Sequence, residues 1–303
     1  MTSPDGDGLR VRPRRHPLRW IGAAVVFLIT AAVVFSMVTN SRFEWDVVGQ
    51  YLFSRPILLG VLTTIELTVI SMVIGTLLGT LLAIWRLSPN PVLSGATGIY
   101  VWVFRATPLL VQLLLWYNLG ALYPQILGIS ANDLITPWTA AILGLALHQA
   151  AYTAEIVRAG LLSVDTGQRE AATALGMPPT LTLRRIILPQ AMRAIIPPMG
   201  NEVISMLKTT SLVSVIALPE LLNTAQTIYA RTYQTIPLLL VATFWYLVLT
   251  ALLTVLQSVL ERRFGRGATR RTASPLVEFL ATHTGSFAAA QGGRGKKRTE
   301  QHS

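Results

Sequence analysis

Glu170-Ala171-Ala172-Thr173-Ala174-Leu175-Gly176, followed after nine residues by Ile186-Ile187-Leu188-Pro189, separates two long apolar runs at 136–161 and 195–218. Each run can cross ~30 Å of hydrocarbon at ~1.5 Å per helical residue. The stretch between them is polar and basic, so it forms a loop facing water beside a membrane. A membrane protein that spends residues 162–193 on such a loop uses it to touch something.

Composition supports the membrane reading. Hydrophobic residues make up 52% of the chain and charged residues 13%, with mean hydropathy +0.52. Soluble domains carry about 25% charge. The net charge of +11 does not point to nucleic acid, because no basic stripe or aromatic platform accompanies it. There is no cysteine, which excludes disulfides, thiolate metal sites and cysteine catalysis. His16, His148, His283 and His302 are scattered without metal-ligand spacing, so no metal site is expected.

Six apolar runs predict an all-α integral membrane fold with six transmembrane helices: 20–38, 57–85, 99–122, 136–161, 195–218 and 236–260. The first follows a basic segment, 1–19, and is long enough to span. No small-x-small cleavage site succeeds it, so it reads as an uncleaved helix over 20–39 and not as a signal peptide. Gly75 and Gly79, one turn apart in the second run, allow another helix to approach closely. From 263 to 303 the chain is rich in Gly, Ala, Ser, Thr and Arg, the composition of a disordered basic tail.

Charge orients the six spans. With the N-terminus inside, 21 of the 25 Lys and Arg residues fall in cytoplasmic segments, Arg86 and Arg105 among them. Only Arg42, Arg55 and Arg231 lie outside, and Lys208 is within a span. The positive-inside rule therefore places both termini and the Glu170 loop in the cytoplasm. Within that loop, Asp165 or Thr166 can cap a helix that Gly176 and Pro178-Pro179 end. Its small residues fit a groove, while Gln168, Arg169 and Glu170 remain free for a partner. Helix chemistry alone would equally allow an interfacial helix with no partner. Pro189 and Pro197-Pro198 are expected to break the chain as it re-enters the bilayer.

Several further fragments stand in a fixed order. Arg105-Ala106-Thr107-Pro108-Leu109-Leu110-Val111-Gln112 comes first, then Ala151-Tyr152-Thr153-Ala154-Glu155-Ile156-Val157-Arg158. Gln168 through Ala172 and Leu188-Pro189-Gln190-Ala191 follow. Last come Pro197-Pro198-Met199-Gly200-Asn201-Glu202 and Leu207-Lys208-Thr209-Thr210-Ser211-Leu212-Val213-Ser214. Together with the E-A-A-x3-G-x9-I-x-L-P loop, this set resembles the polar amino-acid permeases of ABC importers, the histidine/glutamine type, over residues 55–262.

The resemblance implies a type I importer: two permease chains, homodimeric or heterodimeric, a cytoplasmic ATPase dimer, and an extracytoplasmic solute-binding protein, in a bacterial plasma membrane. It implies that Gln168, Arg169, Glu170, Ala171, Ala172, Leu175, Gly176 and Pro189 form the coupling segment seated in a groove of the ATPase. The chain itself has no G-x4-G-K-[ST] phosphate loop. ATP and Mg²⁺ therefore belong to the partner, and this chain is expected to bind no cofactor and to catalyse nothing. Ala106 and Thr209 depart from the family's usual Gly and Asp, which weakens any carried-over Lys–Asp pairing at Lys208. Family members commonly have five core helices, so the N-terminal span is expected to be peripheral.

Ionisable groups within a span usually face a cavity or a partner. Glu66 lies deep in the second span, and His148, Tyr152 and Glu155 share one face of the fourth. Glu202 and Lys208 lie about 120° from alignment and need not pair. These residues and Thr107 are the candidate substrate pathway. Structural alternatives are a Glu155–Arg158 bridge, Lys208 on backbone carbonyls, and Glu202 as a helix cap after the prolines. Glu66 and Glu155 in the pathway would favour a solute bearing a cationic group. A membrane-embedded enzyme would need a nucleophile or metal set that His148, Tyr152 and Glu155 do not supply. An ion-coupled secondary transporter would carry inverted repeats, and none is evident.

Overall fold

The computed structural model describes residues 17–264. The expectations for the basic N-terminal segment and for the tail fall mostly outside that range. In chain order the elements are α1 (Pro17–Thr39), α2 (Trp45–Leu52), α3 (Arg55–Arg86), α4 (Pro91–Ala106), α5 (Leu109–Tyr117) and α6 (Leu119–Leu122). A two-residue hairpin, β1 (Gln125–Ile126) and β2 (Ile129–Ser130), leads to α7 (Ala131–Leu134), α8 (Pro137–Leu162) and α9 (Thr166–Ala174). Then come α10 (Pro179–Thr182), α11 (Leu188–Thr209), α12 (Leu221–Thr232) and α13 (Thr235–Phe264). Apart from the hairpin, the described chain is helical. Four single helices are long and apolar enough to cross a membrane, and two bent pairs bring the total to as many as six.

The centre of the fold is the parallel pair α3 and α8. In lipid the hydrophobic effect does not drive helices together, so close van der Waals packing must. Small residues provide it. A Cβ at Gly75 would lie 2.7 Å from Gln149 Cβ, and one at Gly79 would lie 2.6 Å from the Ala150 carbonyl oxygen. The α8 face that meets α3 and its neighbours includes the buried Ala146, Ala150, Ala151 and Ala154. The Gly75-x3-Gly79 spacing thus marks the α3–α8 contact.

Three apolar clusters surround this pair. Leu67, Leu113, Leu145, Val213 and Ile216 join α3, α5, α8 and the 3-10 turn after α11. Ile57, Leu221, Leu238 and Val241 join α3, α12 and α13. Ala83, Val157, Ile187, Ala191 and Ile195 close the loop end. By contrast, the side chains of α1 are exposed from Ile21 onward except for half-buried Met37. Its tie to the next segment includes the Trp45 Nε1–H donated to the Met37 carbonyl at 3.1 Å.

Two spans differ from their expected form. The third begins at Pro91 and is a pair, α4 and α5, bent by 103°. Thr107 and Pro108 make the bend, since Pro108 forces its predecessor into extended backbone (Thr107 ψ 139°). Arg105 consequently stands in the last turn of α4 and not in a cytoplasmic loop. Without it, 20 of the 25 Lys and Arg residues remain in the segments expected to be cytoplasmic. In the fifth span Pro197 and Pro198 lie inside α11, which begins at Leu188 and runs through them. Glu202 is therefore within a helix and caps nothing. The proline effect falls instead at Pro189, where a π turn over Leu183–Ile187 precedes α11. Pro189 has no N–H for the Arg185 carbonyl, and the widened turn redistributes the acceptors. Gln190 Nε2 fills one of them, donating to the Ile186 carbonyl at 2.9 Å.

Candidate functional site

The loop between α8 and α11 is built from its caps inward. Asp165 Oδ1 accepts the Gly167 N–H at 2.7 Å and starts α9. At the other end Gly176 adopts φ +70°. The Gly176 N–H donates to the Thr173 carbonyl at 2.9 Å, and the Met177 N–H to the Ala172 carbonyl at 3.0 Å. This pair of bonds is the Schellman arrangement, which requires a left-handed residue where glycine sits. Asp165, of the two candidate caps, supplies the N-terminal bond.

Between these caps α9 buries one side chain. Ala172 is 1% exposed. Gln168, Arg169, Glu170 and Ala171 are exposed, and Leu175 is 79% exposed. Gln190 Nε2 on α11 also approaches Gln168 Oε1 at a long 3.5 Å. The helix is thus fastened to the body at Ala172 and Gln168, with the rest of its surface uncovered. Beyond Gly176 the chain passes through α10 and the π turn directly into α11, and Pro189 sits in the first turn of that span.

The second polar region lies around the bend between α4 and α5. Gln112, nearly buried, donates Nε2 to the carbonyls of Phe104 (3.0 Å) and Thr107 (3.1 Å) and to Thr107 Oγ1 (2.7 Å). These bonds satisfy acceptors that the broken helix would otherwise leave free. Thr107 therefore serves the bend itself. On α8 the His148 and Tyr152 rings stack with centroids 4.9 Å apart. The Arg105 guanidinium carbon lies 5.2 Å from the Tyr152 ring centroid, a cation–π distance. Arg158 takes the Glu155 carboxylate with two nitrogens, Nε at 3.1 Å and Nη2. The structural alternative for Glu155 is thus what the fold contains. A cleft of about 410 Å³ is lined by Arg86, Gly98, Val101, Trp102, Arg105, Ala106, Tyr152 and Glu155.

The other candidates are not gathered there. Glu66 is exposed on α3 in a stripe with Leu62, Val69 and Val73. Lys208 is exposed in the last turn of α11, and it makes no ion pair with Glu202 among the described residues. Glu202 is half-buried on α11.

Sequence reasoning passed over two residues. Arg105 reads from the sequence as a loop charge, although the Thr-Pro that follows it signals a break within a span. Glu220 carries no motif that singles it out, yet it is fully buried. It accepts the Leu222 N–H at 2.9 Å, the Asn223 N–H at 2.7 Å and the Tyr246 hydroxyl at 2.9 Å. It thereby starts α12 and ties it to α13. No group of three or more potential metal ligands occurs among the described residues.

Residues 75–266 match the family described as the binding-protein-dependent transport system inner membrane component. The chain is 46% identical over 287 residues to the arginine transport system permease protein ArgU of Corynebacterium glutamicum, covering 92% of this chain and 90% of that protein. It is 39% identical over 233 residues to the L-cystine transport system permease protein TcyB of Bacillus subtilis, covering 76% and 95%. A chain from the crystal structure of an amino acid ABC transporter with histidines aligns at 38% identity and TM-score 0.63, covering 69% of this chain and 94% of that one. Permeases of this family work with an ATPase and a binding protein, and ATP is handled by the ATPase. The chain belongs to this family: it is the multi-pass inner-membrane permease subunit of a bacterial amino-acid ABC importer, a transport subunit and not an enzyme.

Proposed function

We propose that α9 is the coupling helix of this importer, seated in a groove of a separate cytoplasmic ATPase dimer. Gln168, Arg169, Glu170, Ala171 and Leu175 form the contact, Ala172 fastens the helix to the permease, and Gly176 and Pro189 fix its two joints. The carrying observation is that α9 is capped at both ends yet covered on one face only. A single-turn helix and a π turn join it to α11, so displacement of α9 by ATP-driven closure reaches a membrane span directly. Both termini lie on the ATPase side, in keeping with the distribution of Lys and Arg.

The exposed α3 stripe supports pairing with a second permease chain, identical or related. Leu62, Glu66, Val69 and Val73 fall at helical spacing on one face. A carboxylate there is costly against lipid and needs a polar partner or a cavity. The solute is a polar amino acid delivered by an extracytoplasmic binding protein, and arginine is the first to try. It passes the polar groups drawn from Glu66, Thr107, His148, Tyr152, Glu155, Glu202 and Lys208. Lipid covers the remaining apolar surface.

Reconstitution into vesicles tests this reading. Labelled L-arginine should enter only when ATPase, ATP and binding protein are all present. Uptake that ran on an ion gradient without them would refute it.

A further inference from the structure

Arg105 stands at the bend of the third span and makes no ion pair among the described residues. Its guanidinium lies over Tyr152, which is ten residues from the nearer end of α8, or ~15 Å at 1.5 Å per residue. It makes no hydrogen bond or ion pair among the described residues. The one carboxylate lining the same cleft, Glu155, is taken by Arg158. The other arginine of the cleft, Arg86, spends Nη1 on the Ser94 carbonyl at 2.8 Å. The cleft therefore holds more cation than anion, and the planar fork of Arg105 is unmatched among the described residues. A group left like this in a span usually marks a ligand path. Discontinuous spans are also where transporters place such sites.

We propose that Arg105 holds the carboxylate of the transported amino acid as it passes the bend of the third span. The inference rests on the amino-acid reading above and names the group that is recognised. A guanidinium matches a carboxylate with two parallel N–H···O bonds. A lipid phosphate would offer similar oxygens, and competition by anionic lipid separates that source from the amino acid.

The test is direct binding to the purified permease–ATPase complex without binding protein, using labelled L-arginine and its decarboxylated analogue agmatine. The wild type should prefer L-arginine by about 10–100-fold, the equivalent of a charge-assisted pair. R105Q should lose that preference, and R105K, which keeps the charge but not the fork, should retain part of it. Co-elution with the ATPase reports that each variant is folded, and R105K carries the test if R105Q fails to assemble. Undiminished preference in either variant would overturn the proposal, as would competition by anionic lipid and not by L-arginine. If the wild type bound none of the twenty amino acids, the amino-acid reading itself would fall, and this inference with it.

Discussion

The Met177 N–H donates to the Ala172 carbonyl at 3.0 Å, locking the end of α9 around the one residue of that helix that is buried. This bond closes the C-terminal end of α9 beside its buried residue. It exists because Gly176, between the two, adopts φ +70°. A Cβ at Gly176 would meet nothing within 4 Å, so the demand is on backbone conformation and not on space.

Replacing Gly176 with valine should strain this turn by about 1–2 kcal/mol, leave the chain inserted, and loosen α9 from α11. Solute transported per ATP hydrolysed, measured in vesicles, should fall several-fold. A ratio equal to that of the wild type would mean that the turn carries no coupling.

The α3–α8 contact makes a prediction about assembly. Gly79→Leu should destabilise the bundle by about 1–3 kcal/mol, because an added side chain must displace the Ala150 backbone or Thr153. Gly22→Leu, where a Cβ would have open space, should be neutral. Thermal aggregation midpoints in detergent would separate the two. Equal midpoints would remove the close-packing argument.

Glu220 predicts coupling between distant segments. Glu220→Ala should cost about 1–3 kcal/mol by removing the acceptor of two half-buried N–H groups, and Tyr246→Phe about 1 kcal/mol. Since the two side chains share one hydrogen bond, the double variant should cost less than the two single losses together. Full additivity in a thermal-unfolding cycle would show that the bond carries no energy.

The class of the protein and the position of its loop were plain in the sequence because both depend on properties that composition reports directly. Runs of apolar residues give spans, and the polar stretch between two of them gives the loop. Asp165, Gly176 and the glycines of α3 were legible as well, since capping, left-handed φ and close approach each restrict the residue type. The bend at Thr107-Pro108 was not placed, because a hydropathy window averages over a 103° turn. Pro197 and Pro198 read as a break, but a helix inside a packed bundle tolerates the two lost N–H donors. Glu220 escaped notice because glutamate is not a favoured N-cap, and only the fold brings Tyr246 to it. Arg105 looked like one more basic residue until the bend carried it into the span.

Glu66 allows a narrower check of the exposed α3 stripe. Glu66→Gln should lower uptake or shift solute affinity if this face meets a second permease or the pathway. Unchanged rate and affinity in transport assays would remove Glu66 from both.

The most direct measurement concerns Leu175. The chain contains no cysteine, so Leu175→Cys and Tyr233→Cys each introduce a unique thiol at an exposed position, 79% and 90% accessible respectively. Maleimide labelling should slow markedly at position 175 when the ATPase binds and stay unchanged at position 233, beyond α12. Labelling at 175 as fast in the assembled complex as in the permease alone would contradict the assignment of α9 as the ATPase contact.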